Sequence, residues 1–414
     1  MNIKSAVKNA IPDFLMDFYY WLWALLGAII YGFPSRKLTV IGVTGTSGKS
    51  TTVDFIARIL EEAGYSVASA SSIRFKIKDK ERKNELKMTM PGRFKIQEFL
   101  RQAVEEHCKY AVLEVTSEGI RQFRHAFIRF DTAVFTNLSP EHIESHGGFE
   151  NYRNEKLKLF KVVKNTHIIN VDDQNSEYFL QTSAKKTMTF GLEAGDINLN
   201  NTEFSLNILG TFNNYNALAA IAVAKNYDIS LEICQKALEK VTGIPGRMEV
   251  VSKKPLVVVD YAHTPVQLES VYKTLSSWTG NSKPQIINSK LVCVLGSCGG
   301  GRDTWKRPVL GKIAQTYCRE IIITNEDPYD EDPLEIMEQV GNGIENHDYH
   351  IVLDRKEAIK KALELAGHNS APDSAATVII TGKGSEMWMC LANGKKIPWS
   401  DANIVKELLN IDKT

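Results

Sequence analysis

A chain of 414 residues is too long for one small module and sets a prior of two to three domains. A hydrophobic share of 43% with 24% charged residues excludes a disordered or collagen-like chain and leaves enough apolar mass for large cores. Fifty basic against 49 acidic side chains give a formal net charge of +1, which removes any bulk drive toward nucleic acid, and no nucleic-acid partner is expected.

The first element is an uncharged run, residues 18–33 (FYYWLWALLGAIIYGF), placed after Asp17 and before Pro34. As a helix it rises about 24 Å against a hydrocarbon core of about 30 Å, so it is marginal as a span. The run leads straight into the first strand without a small-residue cleavage site, which argues against a signal peptide. Two readings stay open. One is a hydrophobic helix packed on the body or on a partner. The other is membrane-surface association through residues 14–33, because Tyr19, Tyr20, Trp21, Trp23 and Tyr31 suit the head-group layer and Lys4, Lys8, Arg36 and Lys37 flank them.

Next comes LTVIGV (38–43), a β-branched run ending in a glycine-rich turn, followed by apolar residues at helical spacing over 51–64. Strand, phosphate loop and helix are expected in that order. Further buried strands are expected at YAVLEV (110–115), TAVFT (132–136) and HIINV (167–171), with the polar stretch 78–87 as a solvated loop or hairpin. A second series runs through LVVV (256–259), LVCVL (291–295), EIIIT (320–324) and TVIIT (377–381), and VTGIPGR (241–247) has the Gly and Pro content of a hinge between the two. The alternation of strand and helix predicts an α/β fold with mostly parallel sheets. The expected organisation is a hydrophobic N-terminal helical segment (1–37), a central P-loop domain (38–244) and a C-terminal Rossmann-like α/β domain (245–414). The six cysteines are scattered without a Cys-x-x-Cys pair, which fits a reducing cytoplasm better than a zinc site.

Gly45-Thr46-Ser47-Gly48-Lys49-Ser50-Thr51 supplies what a triphosphate needs: glycines that admit backbone N–H groups, a helix N-terminus behind them and a lysine for the outer phosphates. Ser50 would place its hydroxyl on Mg²⁺. Val43 stands where the general Walker pattern has its first glycine. Glu114 lies near the end of the YAVLEV strand and His142 in the loop after TAVFT, so both are expected at the carboxyl edge of a sheet, where a carboxylate and an imidazole can complete a divalent metal shell.

These motifs continue in order with Glu114-Val115-Thr116-Ser117, Thr136-Asn137-Leu138-Ser139-Pro140-Glu141-His142, the stretch around Tyr152, Asn213 to Asn216, Gly246-Arg247-Met248-Glu249, Asp260-Tyr261-Ala262-His263-Thr264-Pro265 and Gly382-Lys383-Gly384-Ser385-Glu386. From about residue 38 to 409 the chain resembles the Mur ligases, most of all the UDP-N-acetylmuramoyl-tripeptide synthetase (MurE-type) branch. The resemblance implies an ATP- and Mg²⁺-dependent amide ligase of peptidoglycan precursor synthesis, which phosphorylates a muramyl-dipeptide carboxylate and joins the acyl phosphate to an amino acid. It implies a cytoplasmic location, with association to the inner face of the membrane left open.

Carried over residue by residue, the resemblance makes Lys49 the phosphate-loop lysine, Ser50 a Mg²⁺ ligand, and Glu114 and His142 holders of a second metal. Lys156 matches a lysine that family members carbamylate, turning a cation into a carboxylate able to hold Mg²⁺. Asn213 and Asn216 match adenine-side asparagines, Arg247 a phosphate-binding arginine and Asp260 a ribose-binding aspartate, whereas Tyr261 and His263 of that motif are equally readable as packing residues. For the acyl acceptor it implies Thr89, Ser117, Gln122 and Arg124. On the amine side it implies Lys383 and Glu386, with Arg302 or Lys306 near phosphate.

Several residues depart from the pattern. Only about 37 residues precede the first strand, where family members carry a domain of about a hundred that binds the uridine nucleotide, so the acceptor's carrier is open between nucleotide and lipid. Diaminopimelate-adding members carry Asp-Asn-Pro-Arg, whereas this chain has Glu326-Asp327-Pro328-Tyr329, and the added amino acid stays open. Ser47 replaces an asparagine and Glu118 a histidine. The competing readings are a related ligase on another acid, of folylpolyglutamate or cyanophycin type, and a non-catalytic nucleotide-binding partner subunit. The oligomeric state is not legible.

Overall fold

The computed structural model describes residues 12–86, 88–277, 291–368 and 376–411. Lys4 and Lys8 lie outside the described residues. The chain divides into two compact units. The first takes the described residues up to Leu138, with Phe149–Ser205 and Asn214–Lys240. The second takes Ser139–Gly148, Leu206–Asn213 and the described residues from Val241 onward.

The first unit is built on an eight-stranded sheet. Its strands are β1 (Thr39–Thr44), β2 (Val67–Ala70), β3 (Arg74–Ile77), β4 (Lys80–Lys83), β5 (Tyr110–Glu114), β6 (Phe130–Phe135), β7 (Thr166–Asn170) and β8 (Lys186–Phe190), in the spatial order β4-β3-β2-β5-β1-β6-β7-β8. The run from β2 to β8 is parallel, and β3 and β4 add an antiparallel hairpin at one edge. Strand β1 is buried from Val40 onward, which is why its sequence is an unbroken apolar run rather than an alternation. Strand β4 is exposed throughout and reads KERK, an edge whose charges discourage pairing with another chain. The stretch expected as a loop or hairpin therefore supplies the outer arm of a hairpin.

A helix at Asp13–Ile30 precedes β1, and the chain leaves it through Gly32 and Phe33, both at positive φ, into a short 3-10 turn at Pro34–Lys37. Its buried positions are Ala24, Gly27 and Ala28. They let it close on the helix Arg93–Glu105: a methyl group added at Gly27 would stand 3.3 Å from the Arg93 carbonyl oxygen. Among the described residues no helix is long and apolar enough to cross a membrane.

The second unit carries a six-stranded sheet. Its strands are β9 (Glu249–Lys253), β10 (Leu256–Val259), β11 (Leu291–Leu295), β12 (Cys318–Thr324), β13 (His350–Val352) and β14 (Thr377–Ile380), in the order β13-β12-β11-β14-β10-β9. Only β9 runs antiparallel to its neighbour among these pairings. Alternate residues serve opposite cores, with Cys293, Ile321 and Ile323 in one and Val292, Val294 and Ile322 in the other. A ribbon of β15 (Trp388–Cys390) and β16 (Lys396–Pro398) completes the unit. The fully buried Arg355 guanidinium pairs in two-pronged fashion with Asp401, at 2.9 and 2.8 Å, and donates also to the Thr381 carbonyl.

Two cysteines depart from the expectation of scattered thiols. Cys293 and Cys318 are joined as a disulfide across the neighbouring strands β11 and β12. Their separation of 25 residues carries no motif, and only the strand register brings them together.

The segment Ser139–Gly148 is held within the second unit by its backbone N–H groups and its carboxylates. The Asp303 carboxylate accepts from the Ile143 and Glu144 N–H groups at 3.2 and 3.0 Å. Glu144 accepts in return from the Thr304 N–H and hydroxyl, and Glu141 Oε1 lies 2.8 Å from His263 Nε2.

Candidate active site

In the first unit, β1 ends at Thr44 and the helix Lys49–Glu62 begins four residues after Gly45. The loop is shaped from the next strand exit: Thr46 N–H donates to the Asn137 carbonyl (2.8 Å), Ser47 N–H to Asn137 Oδ1 (2.9 Å), and Thr136 Oγ1 to the Ser47 carbonyl (2.7 Å). Gly45, at φ +151°, leaves no room for a side chain, because a methyl group would run into Thr136 Oγ1. No side chain caps the helix N-terminus, so its leading N–H groups and the positive end of its dipole face the loop. That is the construction of an anion site.

Lys49 Nζ donates to the Thr46 carbonyl at 2.7 Å and stands 4.0 Å from Glu114 Oε1. Glu114, at the carboxyl end of β5 and buried, accepts on Oε2 from Ser50 Oγ (2.7 Å) and from the Ser72 N–H (2.9 Å). Ser72 Oγ is itself 2.7 Å from Ser50 Oγ. Ser72 is a member of this cluster that the sequence did not single out; it stands two residues beyond β2, a strand the run of small residues VASA did not announce.

Lys156 reaches the same loop from the helix Phe149–Val162. Its Nζ is buried and donates to the Gly45 carbonyl at 2.7 Å, beside the Tyr152 ring, whose hydroxyl lies 3.0 Å from Thr46 Oγ1. Asn216 closes the other side: its Oδ1 accepts from Thr52 Oγ1 at 3.2 Å and packs against Gly48, which at φ +79° carries no Cβ to obstruct it. The fold thus gathers Gly45, Thr46, Ser47, Gly48, Lys49, Ser50, Thr51, Glu114, Lys156 and Asn216 around one strand–helix junction.

Among the described residues there is no group of three or more His, Cys, Asp and Glu placed to hold a metal ion. Mg²⁺ on a nucleotide asks for less, since phosphates and water fill most of its shell and one or two protein oxygens suffice. Ser50 Oγ and the Glu114 carboxylate, converging at the phosphate loop, fit that requirement.

A second cluster of the first unit surrounds Arg124. Its guanidinium is buried, and burial above all lowers its pKa from the ordinary value. It donates to the Met90 carbonyl (2.6 Å) and to Gln122 Oε1 (2.7 Å), while its buried Nε has no partner. Ser117 opens the short helix Ser117–Arg121 nearby in sequence and is buried, and Thr89 is half-buried next to Met90. Arg93 is an addition the sequence did not suggest. It lies under the Tyr20 ring at 4.0 Å, its Nε and Nη2 are buried without partners, and burial, then the charge of Arg124, lowers its pKa.

In the second unit, Asp260 sits just past β10 with its carboxylate accepting from the Met248 and Ala262 N–H groups, each at 2.7 Å. Burial pushes its carboxyl up, against the pull of Arg247. Arg247 lies over the Tyr261 ring at 4.3 Å, and the Tyr261 hydroxyl donates to Glu386 at 3.3 Å. Lys383 is fully buried and donates to Asp327 (2.8 Å), Glu386 (2.7 Å) and the Trp388 carbonyl (2.7 Å). His142 stands at φ +56° at the head of the helix Ile143–His146, with Nε2 3.6 Å from Glu141 Oε1, and Asn213 donates to the Leu209 carbonyl at 2.6 Å. Lys306 donates to the His263 carbonyl at 2.9 Å, and His263 places both ring nitrogens 2.8 Å from acceptors, the Tyr261 carbonyl and Glu141.

Residues 43–224 match the Mur ligase middle domain, and residues 246–384 match the glutamate ligase domain of Mur ligases. A curated relative from Syntrophomonas wolfei subsp. wolfei, named UDP-N-acetylmuramoyl-L-alanyl-D-glutamate--2,6-diaminopimelate ligase, is 36% identical over 93% of this chain and 81% of its own length. The chain belongs to the Mur ligase family. A solved structure carrying the same ligase name aligns with this Mur ligase at 29% identity and a TM-score of 0.58, covering 90% of it and 78% of that chain. Folylpolyglutamate synthase from Mycobacterium tuberculosis, solved with ADP and AMPPCP, aligns at a TM-score of 0.70 and 16% identity, covering 95% and 96%, and so shares the fold. The resemblance carried by the ordered motifs is borne out at the level of the family.

Proposed function

We propose that this Mur ligase is an ATP-dependent, cytoplasmic amide ligase that adds an amino acid to a muramyl-dipeptide-type carboxylate in peptidoglycan precursor synthesis. One observation carries the reading: Lys49, Ser50, Glu114 and Lys156 meet at a single phosphate loop, whereas a nucleotide-binding scaffold needs no acid and no buried amine beside the phosphates.

A carboxylate is a poor electrophile because its leaving group would be oxide. Transfer of the γ-phosphoryl group from ATP to a carboxylate oxygen breaks the bond to ADP and leaves a carbonyl carbon with phosphate as leaving group. The incoming amine then forms the C–N bond as the C–O bond to phosphate breaks. Lys49 and the uncapped N–H groups of the helix Lys49–Glu62 draw the outer phosphates into line and offset the charge that builds on the transferring group. Arg124, through its planar fork, is assigned to orienting the acceptor carboxylate, and Thr89, Ser117 and Gln122 are assigned to the same acceptor. Asn213 and Asn216 are assigned to adenine, Asp260 to ribose and Arg247 to phosphate. Lys383 and Glu386 are assigned to the amino acid, whose ammonium the carboxylate would hold until it loses its proton.

Mg²⁺, when bound, neutralises phosphate oxygens and polarises the group in transfer. Ser50 and Glu114 would hold it, with His142 and a carbamate of Lys156 as the further ligands the family resemblance implies. The carbamate would form as the neutral amine adds to carbon dioxide and releases a proton, exchanging a cation for a carboxylate.

The test is phosphate release from ATP that depends on both a muramyl-dipeptide acceptor and an amino acid, screened across amino acids with mass detection of the new amide. Release that needs neither partner, or no release with any muramyl peptide, defeats the reading. Running nucleotide-linked and lipid-linked acceptors side by side identifies the carrier.

A further inference from the structure

We propose that the helix Asp13–Ile30 lies along the surface of an anionic lipid bilayer, with its large apolar face in the head-group layer. The helix is packed the wrong way round for water. The side turned to the protein carries its smallest residues, Ala24, Gly27 and Ala28. Its open side carries Phe14, Phe18, Ile29 and Ile30, exposed to 69, 59, 54 and 65%. With Leu22 and Leu26 between them, these residues recur at spacings of three and four, so they form one stripe. A helix that faces water buries its large residues and exposes polar ones; this one presents a continuous apolar strip of the kind that marks an interaction surface.

Charge and chemistry choose the occupant. At the carboxyl end of the helix, Arg36 and Lys37 are exposed, and Arg129 is brought to the same place by its N–H bond to Ser35 Oγ at 3.0 Å. Lys95 is exposed on the neighbouring helix. Exposed Asp17 on the helix itself and Glu98 on its neighbour offset part of this charge, against the four exposed cations Arg36, Lys37, Lys95 and Arg129. Trp21 and Trp23 are each more than a third exposed, and their rings are steadied edge-on by Phe127 and Phe94 at 5.4 Å. Such rings, half anchored and half open, suit the boundary between hydrocarbon and head groups, and a basic rim suits anionic lipid. No helix among the described residues is long and apolar enough to cross a membrane, and the proposal places this one in the plane of the surface.

The inference stands on this helix and does not require the ligase reading. Where both hold, Tyr20 of the helix covers Arg93, which feels the charge of Arg124, so the docking element adjoins the acceptor cluster.

The experiment is co-sedimentation of the full chain with vesicles of phosphatidylcholine alone or mixed with phosphatidylglycerol, read together with tryptophan fluorescence. The expected result is salt-sensitive binding to the anionic vesicles with a blue shift in emission. Phe18→Glu with Ile29→Glu should weaken it at least tenfold while far-UV circular dichroism and nucleotide binding persist. Lys37→Glu with Arg129→Glu leaves the apolar stripe intact and should remove only the preference for anionic lipid; this pair decides the matter if the first variant misfolds. Wild-type protein that stays in the supernatant with both vesicles overturns the proposal. So does a dimer seen by light scattering that Phe18→Glu with Ile29→Glu dissolves in the absence of vesicle binding, which would assign the face to a second copy of the chain.

Discussion

Lys156 donates its Nζ proton to the Gly45 carbonyl across 2.7 Å, a bond between residues 111 positions apart that ties the helix Phe149–Val162 to the opening of the phosphate loop. The amine is therefore delivered to the loop backbone, where a cation and a carboxylate would act in opposite senses on a bound phosphate.

Lys156→Ala is expected to lower acceptor-dependent phosphate release by at least about 10²-fold, the scale of losing one group that acts on transition-state charge. If the working form is the carbamate, added acetate restores part of the activity of Lys156→Ala, whereas Lys156→Arg stays inactive with or without it. Equal behaviour of the two variants in an acetate titration would remove the carbamate from the mechanism.

Gly48→Ala should cost about 1–3 kcal/mol of stability, because φ is +79° and the new methyl group would run into Asn216 Oδ1. Thermal unfolding measures the loss. Nucleotide affinity should fall with it, since the helix N-terminus is displaced, and Asn216→Ala in the Gly48→Ala background should recover only the part of the stability lost to the clash, and not adenine affinity.

Glu114→Gln keeps the bond from the Ser72 N–H and removes the charge that faces Lys49 and Ser50. The Mg²⁺ concentration for half-maximal turnover is expected to rise by about tenfold with little change in Tm, on the scale of 1.4 kcal/mol per decade. A metal titration of wild type and variant at fixed ATP checks it.

His125 supplies the pH dependence. Burial, then Lys158, lowers its pKa from 6.5 to about 4, and its Nδ1 is buried without a partner. The folded state therefore resists a proton that the unfolded chain takes up below pH 6.5. Stability is fully present above pH 6.5 and is lost as pH falls toward 4, by up to about 3 kcal/mol. His125→Asn should flatten that slope in urea denaturation measured between pH 7 and about 4.

The sequence disclosed those parts of the fold and site whose physics is local. Strands buried on both faces announce themselves as apolar runs, and LVVV and LVCVL are strands over their full predicted length. The loop Gly45–Lys49 was legible because phosphate chemistry demands that composition at a strand–helix junction. Strand β2 was not, since VASA is small rather than apolar and becomes a strand only through its neighbours β5 and β3. Ser72 and Arg93 join their clusters by tertiary placement alone, and the Cys293–Cys318 link depends on a strand register that spacing does not reveal. The helix expected over residues 18–33 begins earlier and stops at Ile30, because Gly32 and Phe33 take left-handed backbone angles.

The placement of Ser139–Gly148 and Leu206–Asn213 with the second unit limits how the protein can be dissected. A fragment starting at Val241 would lack the Ile143 and Glu144 N–H groups that Asp303 receives, the Glu144 and Glu141 carboxylates that Thr304 and His263 respectively face, and the Phe212 ring packed on its core. Its parts are interleaved along the polypeptide, so neither half is a free-standing cassette, and any split or circularly permuted version must keep both insertions to recover a folded second half.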